Sequence, residues 1–238
     1  PGTATDRRDG CVVTYVSSVM AMTRRDDVLR EAVTLVRAGG PAALTSGNVA
    51  AALGLTQSAI YRHVRDMDEL TALTSEIIVG ELTAVVHQLL LDPDIDWGET
   101  GSFQRISARL VETMAERSQE FSVVDRWRFE PGELGRGIRH TLAAARAVAG
   151  DLLEQEWRTE FGWTAPLDDA DTSVLDAYAQ LMQDEVIAVA RLVSSRAGPE
   201  HRDEMTQLLE YRLLSGWYSL SIDLNDRLGL DKPLVTFP

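Results

Sequence analysis

Five side chains within seven positions, Gln57, Ser58, Tyr61, Arg62 and His63, bring an amide, a hydroxyl, a phenol, a guanidinium and an imidazole into one short stretch. These donors and acceptors suit the reading of base edges and the gripping of phosphate oxygens. Glutamine can pair with adenine in two places, and arginine with guanine or phosphate. The surrounding residues must therefore hold a short polar face outward. Thr45 can cap a first helix whose Val49, Ala50 and Leu53 fall at helical spacing. Gly54 can take the left-handed conformation that ends it, and Thr56 can cap a second helix, whose apolar face is Ala59, Ile60 and Val64. Helices of barely two turns are unstable alone and have to be packed on neighbours. Presenting such a helix to a DNA major groove is the use that a helix-turn-helix makes of it.

The rest of the chain reads as all-α, with about nine helices. Thr23-x-x-Asp26 starts a helix with Val28, Leu29, Ala32, Val33, Leu35 and Val36 on one face, ended by Gly39-Gly40-Pro41. Asp66-x-x-Glu69 caps a long helix that runs to Pro93. Further helices are expected over 102–117, 119–129, 133–161, 172–195 and 201–228, and no segment shows convincing strand alternation. The expected organisation is a flexible arm over 1–22, a helix-turn-helix domain over 23–66 and a helical ligand-binding and dimerisation body over 67–238. The last two helices are apolar over wide arcs, so each should pack on two sides. Leu181, Val189, Leu192, Leu213, Trp217 and Leu220 are candidates for contact with a second copy in a four-helix bundle; a deep monomeric core is the alternative.

A net charge of −14 speaks against DNA binding only as an average. Residues 1–70 hold eight arginines and eight acidic residues, so the whole excess lies in 71–238. A neutral reading head on an acidic body would bind weakly to random phosphate backbone; acidity that simply keeps the body soluble explains the same numbers. The single cysteine, Cys11, rules out an intrachain disulfide and a cysteine-based zinc cluster, which fits a cytoplasmic address. The four histidines lack ligand spacing, so no metal or cofactor is expected, and no run is expected to be long enough to cross a bilayer. Val12 to Met22 after Arg7-Arg8 loosely resembles a signal peptide, but Thr14, Tyr15, Ser17 and Ser18 break the apolar run. An arm placing Arg7 and Arg8 in a minor groove is a further option.

The head resembles the TetR family of transcriptional regulators. The residues that carry the resemblance are Gly39 and Gly40, Thr45, Val49-Ala50, Gly54 and Ile60-Tyr61-Arg62-His63, followed by Leu70. About 50 residues match in detail, and Gln57 with Tyr61 and His63 comes nearest the tetracycline repressor branch. The resemblance implies base contacts from Gln57 and Ser58, guanine or phosphate contact from Arg62, and phosphate contacts from Thr45, Tyr61 and His63. Packing roles compete with these: Tyr61 could fill the head's core and His63 could cap the turn. Two customary positions differ. Gly47 stands where many members carry an arginine, and Met67 where many carry a lysine. Arg65, Arg24 and Arg25 are the expected substitutes.

The same resemblance implies a homodimer on a palindromic operator, released by a small molecule bound among the middle helices. Phe103, Phe121, Trp127, Phe129, His140, Trp157, Tyr178 and Met182 are the residues placed to line such a pocket. The branch points to a polycyclic, antibiotic-like effector, apolar or aromatic, without a magnesium site. A regulator with no small-molecule effector is the alternative, and an activator role stays open. An all-α enzyme is the remaining rival, but the chain has no P-loop, GxSxG, HExxH or CxxC motif.

Overall fold

The structure, a computed structural model, describes residues 24–92, 94–95, 101–195 and 198–230. Thr23, Arg7, Arg8, Cys11 and the whole expected arm lie outside them. The described residues form helices without strands, in the order α1 (Arg24–Gly39), α2 (Ser46–Ala52), α3 (Gln57–Ile60), α4 (Met67–Leu90), α5 (Ser102–Glu116), α6 (Ser118–Trp127), α7 (Gly132–Phe161), α8 (Asp169–Ser195) and α9 (Pro199–Leu228). A 3₁₀ turn, Pro41–Ala43, joins α1 to α2.

The expected face of α1 is the one that packs: Val28, Ala32, Val33 and Val36 are buried against α2, α4 and α6. Val49, Ala50, Ile60, Val64 and Leu70 close the same core from α2, α3 and the start of α4. That core continues without a break into the body through Ile78, Ile106, Leu110, Met114, Ile138, Val189 and Leu209. A second cluster, Trp157, Phe161, Leu175, Leu220 and Leu224, seals the far ends of α7, α8 and α9.

The central helix corrects one expectation. Met67–Leu90 is long and apolar enough, by length and composition, to cross a membrane. Here it is the spine of the fold, packed on α1, α5, α6 and α7. Its buried Thr74 and Ser75 return their hydroxyl protons to the carbonyls of Leu70 and Thr71, so they enter the core without orphaned groups.

Candidate nucleic-acid interface and internal cavity

The interface is built from its caps. Thr45 Oγ1 accepts from Asn48 N at 3.1 Å, and Asn48 Nδ2 donates to Ala43 O at 2.8 Å, which fixes the entry to α2. Gly54 turns the chain with φ of 63°, a left-handed value that glycine adopts without steric cost. Thr56 occupies the N-cap position of α3 but gives no side-chain cap; its hydroxyl lies 3.1 Å from Ser58 Oγ instead. The expected Thr56 cap is therefore corrected. With only four residues, α3 depends on the anchorage of Ile60 and Val64, both buried in the head's core.

That anchorage leaves Gln57, Ser58, Tyr61 and Arg62 exposed on one side, with His63 half-buried beside them. Tyr61 is 43% exposed, too open to be filling the core. Gly47 has a role that spacing alone did not reveal. A Cβ added there would stand 3.0 Å from Gln57 Nε2, so the bare backbone of α2 makes room for the Gln57 amide. An arginine at that position would contest the same space.

The flanking arginines are tied into ion pairs. Arg25 Nη2 donates to Glu69 Oε1 at 2.8 Å, while Arg24 stands more loosely, 3.8 Å from Asp27. Arg65 Nε donates to Asp66 Oδ2 at 2.8 Å and reaches within 3.9 Å of Glu133 at the start of α7. Asp66 caps α4 by accepting from Glu69 N at 2.8 Å, and this amide, seconded by Arg65, holds its carboxyl below the usual range. The Arg65 backbone N–H does the same for Glu69, with help from Arg25. Each of the three substitute arginines therefore has an acidic neighbour in the head or in the first turn of α4.

Head and body meet at α6. Arg37 on α1 donates from Nε to Glu120 Oε1 at 2.6 Å and pairs through its other arm with Glu81 on α4. Arg117 closes the network, its Nε 2.6 Å from Glu120 Oε2. Gly40, with φ of 70°, brings the backbone against this joint: a Cβ there would lie 2.5 Å from Gln119 Oε1.

One residue beyond the network on both helices lies a cavity of about 150 Å³. Val79, Leu82 and Phe121 belong to its wall, flanking Glu81 and Glu120 in sequence. Between Ile138 and Trp157 α7 has no buried residue, because Leu142, Ala145, Ala149, Leu152 and Leu153 face the cavity instead.

Of the eight residues expected to line a pocket, Phe103, Phe121 and Met182 do so. The other five lie elsewhere. Trp157 is wholly buried in the second cluster, and Tyr178 packs against that cluster while donating to Asp223 at 2.7 Å. Burial, followed by that carboxylate, pushes the Tyr178 phenol up to about 12. Trp127 packs on the main core outside the cavity, His140 is exposed, and Phe129 is 73% exposed, stacked under Arg128 at 4.5 Å. The wall residues that were missed, such as Leu142, Ala149 and Val186, are small or aliphatic, so they carry no signal separating wall from core.

The six residues expected at a dimer face divide as well. Leu181 and Leu192 point outward, 50% and 38% exposed. Val189, Leu213 and Leu220 are buried in the protomer's own core, and Trp217 lines the cavity. The reason is that α8 already packs on α5, α6, α7 and α9, which consumes most of its apolar arc. Tyr211 and Ile222 on α9 are exposed as well.

No protein-family model and no curated protein sequence matches the chain. Solved structures do. One is a protein from Mesorhizobium loti assigned to the TetR family of transcriptional regulators; its 12% identity covers 83% of this chain and 98% of that one, with a TM-score of 0.60. Another is AmtR from Mycobacterium smegmatis, at 20% identity over 90% and 98% of the two chains and a TM-score of 0.45. With its short helix pair leading through α4 into a helical body, the chain has the fold of a TetR-family transcriptional regulator.

Proposed function

We propose that this chain is a DNA-binding transcriptional repressor that acts as a homodimer on a palindromic operator and is released by a small molecule. The observation that carries the reading is the construction of α3, where buried Ile60 and Val64 fix a four-residue helix so that Gln57, Ser58, Tyr61 and Arg62 stand in solvent together. Gln57 and Arg62 would read base edges, while Tyr61, His63 and Thr45 would position the head on phosphates. A two-fold pairing through Leu181, Leu192, Tyr211 and Ile222 would set two heads on successive major grooves, about 34–36 Å apart.

Release follows from linkage: a ligand that prefers a body conformation with another head spacing must weaken DNA binding. The Arg37–Glu120–Arg117–Glu81 network supports that route, since it joins α1 to the two helices that also wall the cavity. The cavity favours this reading over a regulator without an effector. The test is fluorescence anisotropy of the full-length protein on duplexes from its own upstream region. Tight binding of a palindrome, lost in Tyr61→Ala and Arg62→Ala, is expected; binding that ignores both substitutions would refute the assignment of α3.

A further inference from the structure

The wall of the cavity specifies a ligand chemistry more narrowly than its position does. Its residues are aliphatic and aromatic except for Thr83, His87, Gln183 and Glu156, and none is an arginine or a lysine. Glu156 is already engaged within the fold. A carboxylate or phosphate entering here would be desolvated with at most one histidine, His87, to offset its charge and with Glu156 on the same wall to repel it.

His87 and Gln183 stand on facing helices, α4 and α8, and both reach the same stretch of α7. Gln183 Nε2 donates to Leu142 O at 2.9 Å, and His87 Nε2 lies 3.2 Å from Ala145 O. Since a carbonyl oxygen can only accept, both nitrogens must carry the proton. Left on these side chains are two acceptors, Gln183 Oε1 and, in the neutral ring, His87 Nδ1, and one donor, the second N–H of the Gln183 amide. Two acceptors beside one donor suit a hydroxyl, which donates its proton and accepts in turn.

Shape adds a second restriction. Along α7 the wall runs from Leu142 to Glu156, which at helical rise is about 21 Å. Spread along a wall of that length, a volume of about 150 Å³ suits an extended chain better than a broad ring system. A compact cavity of that volume holds one benzene, so the capacity here is roughly six to ten non-hydrogen atoms. Met182 on the wall can adapt its rotamer to a chain of variable length.

We infer that the cavity takes an uncharged, unbranched amphiphile, an alkyl chain of medium length with a hydroxyl that donates its proton to His87 or Gln183 Oε1 and accepts from the Gln183 amide. The effector role of such a molecule rests on the repressor reading above; its binding does not.

Titration calorimetry on the full-length protein without DNA tests the inference, with 1-octanol as the probe. Binding is expected to be at least tenfold tighter for 1-octanol than for octanoate, octylammonium, octyl methyl ether (which cannot donate) or 9-anthracenemethanol (a flat polycycle with the same hydroxyl). Gln183→Leu should remove most of the preference for the alcohol over the ether. Ala149→Trp, checked for folding by circular dichroism, should abolish binding by filling the cavity. If an ion, the ether or the polycycle binds as tightly as 1-octanol, or no probe binds, the inference is overturned. Retention of the alcohol preference in Gln183→Leu would also overturn it. Anisotropy with operator DNA separates the two claims. Octanol that binds without weakening the DNA complex would contradict the effector reading alone, whereas intact DNA binding with no octanol affinity would contradict only the ligand assignment.

Discussion

Arg37 on α1 and Glu120 on α6 form a part-buried pair between the head and the body: Arg37 Nε donates to Glu120 Oε1 at 2.6 Å, and only 6% of the Glu120 side chain is exposed. The next residue, Phe121, lines the cavity. Cavity wall and head are thus one peptide unit and one ion pair apart. Glu120→Gln should keep the shape but leave Arg37 and Arg117 without their shared carboxylate. The expected cost is roughly 1–2 kcal/mol of stability, moderated because the Arg37 side chain is 42% exposed. Ligand and DNA binding should each persist while the ligand-induced loss of DNA affinity falls about fivefold or more, measured by anisotropy with and without ligand.

Gly47 and Gln57 make a second pair whose effect is on specificity. Gly47→Ala would press on the Gln57 amide, whose nitrogen lies 3.0 Å from the added methyl. The amide should swing away from its present place on the interface. Binding to the preferred site is expected to weaken by about 1–3 kcal/mol, the worth of one bidentate base contact, with little change on random duplex. Gln57→Ala should give the same pattern, and the double variant should add little further, because both act on one contact.

The start of α4 sets an acid limit. Asp66 and Glu69 have lowered folded-state pKa values, from backbone N–H bonds first and arginines second. A carboxylate lowered in this way adds stability above its ordinary pKa, and that contribution is lost as the pH falls through the depressed value. Thermal melts between about pH 5 and pH 2.5 should therefore show the head loosening in acid. Asp66→Asn with Glu69→Gln should flatten that dependence, since neither replacement titrates there.

How much of this was legible in the sequence depends on what each signal encodes. Helical spacing marks an apolar face, so Val28 through Val36 and the long body helices were readable. Gly54 and Asp66 were readable because left-handed turns and N-caps have narrow residue preferences. Spacing does not say which neighbour an apolar face meets. Trp157 and Tyr178 therefore could not be told from cavity wall, nor Val189 and Leu220 from a dimer seam. The ion pairs of Arg25, Arg65 and Arg37 were hidden for the same reason: their partners, 44, 68 and 83 residues away for the Glu69, Glu133 and Glu120 pairs, become neighbours only through the fold. Thr56 was misassigned because the nearby Ser58 hydroxyl competes for it.

The outward residues of α8 and α9 carry the dimer prediction. Leu181→Arg together with Tyr211→Glu should leave the protomer folded, as the two side chains are 50% and 68% exposed. Sedimentation velocity should then report a monomer in place of a dimer, and operator affinity should drop by more than a hundredfold through loss of the second half-site.

The central claim is that α3 reads DNA as one half of a symmetric pair. Repeated selection of the full-length protein against a random-sequence duplex library, followed by sequencing, measures it and needs no known operator. Enrichment of an inverted repeat with half-sites about one helical turn or a multiple apart is expected, and none when Tyr61→Ala and Arg62→Ala are combined. Failure to enrich any sequence, or the same motif recovered by the double variant, would contradict it.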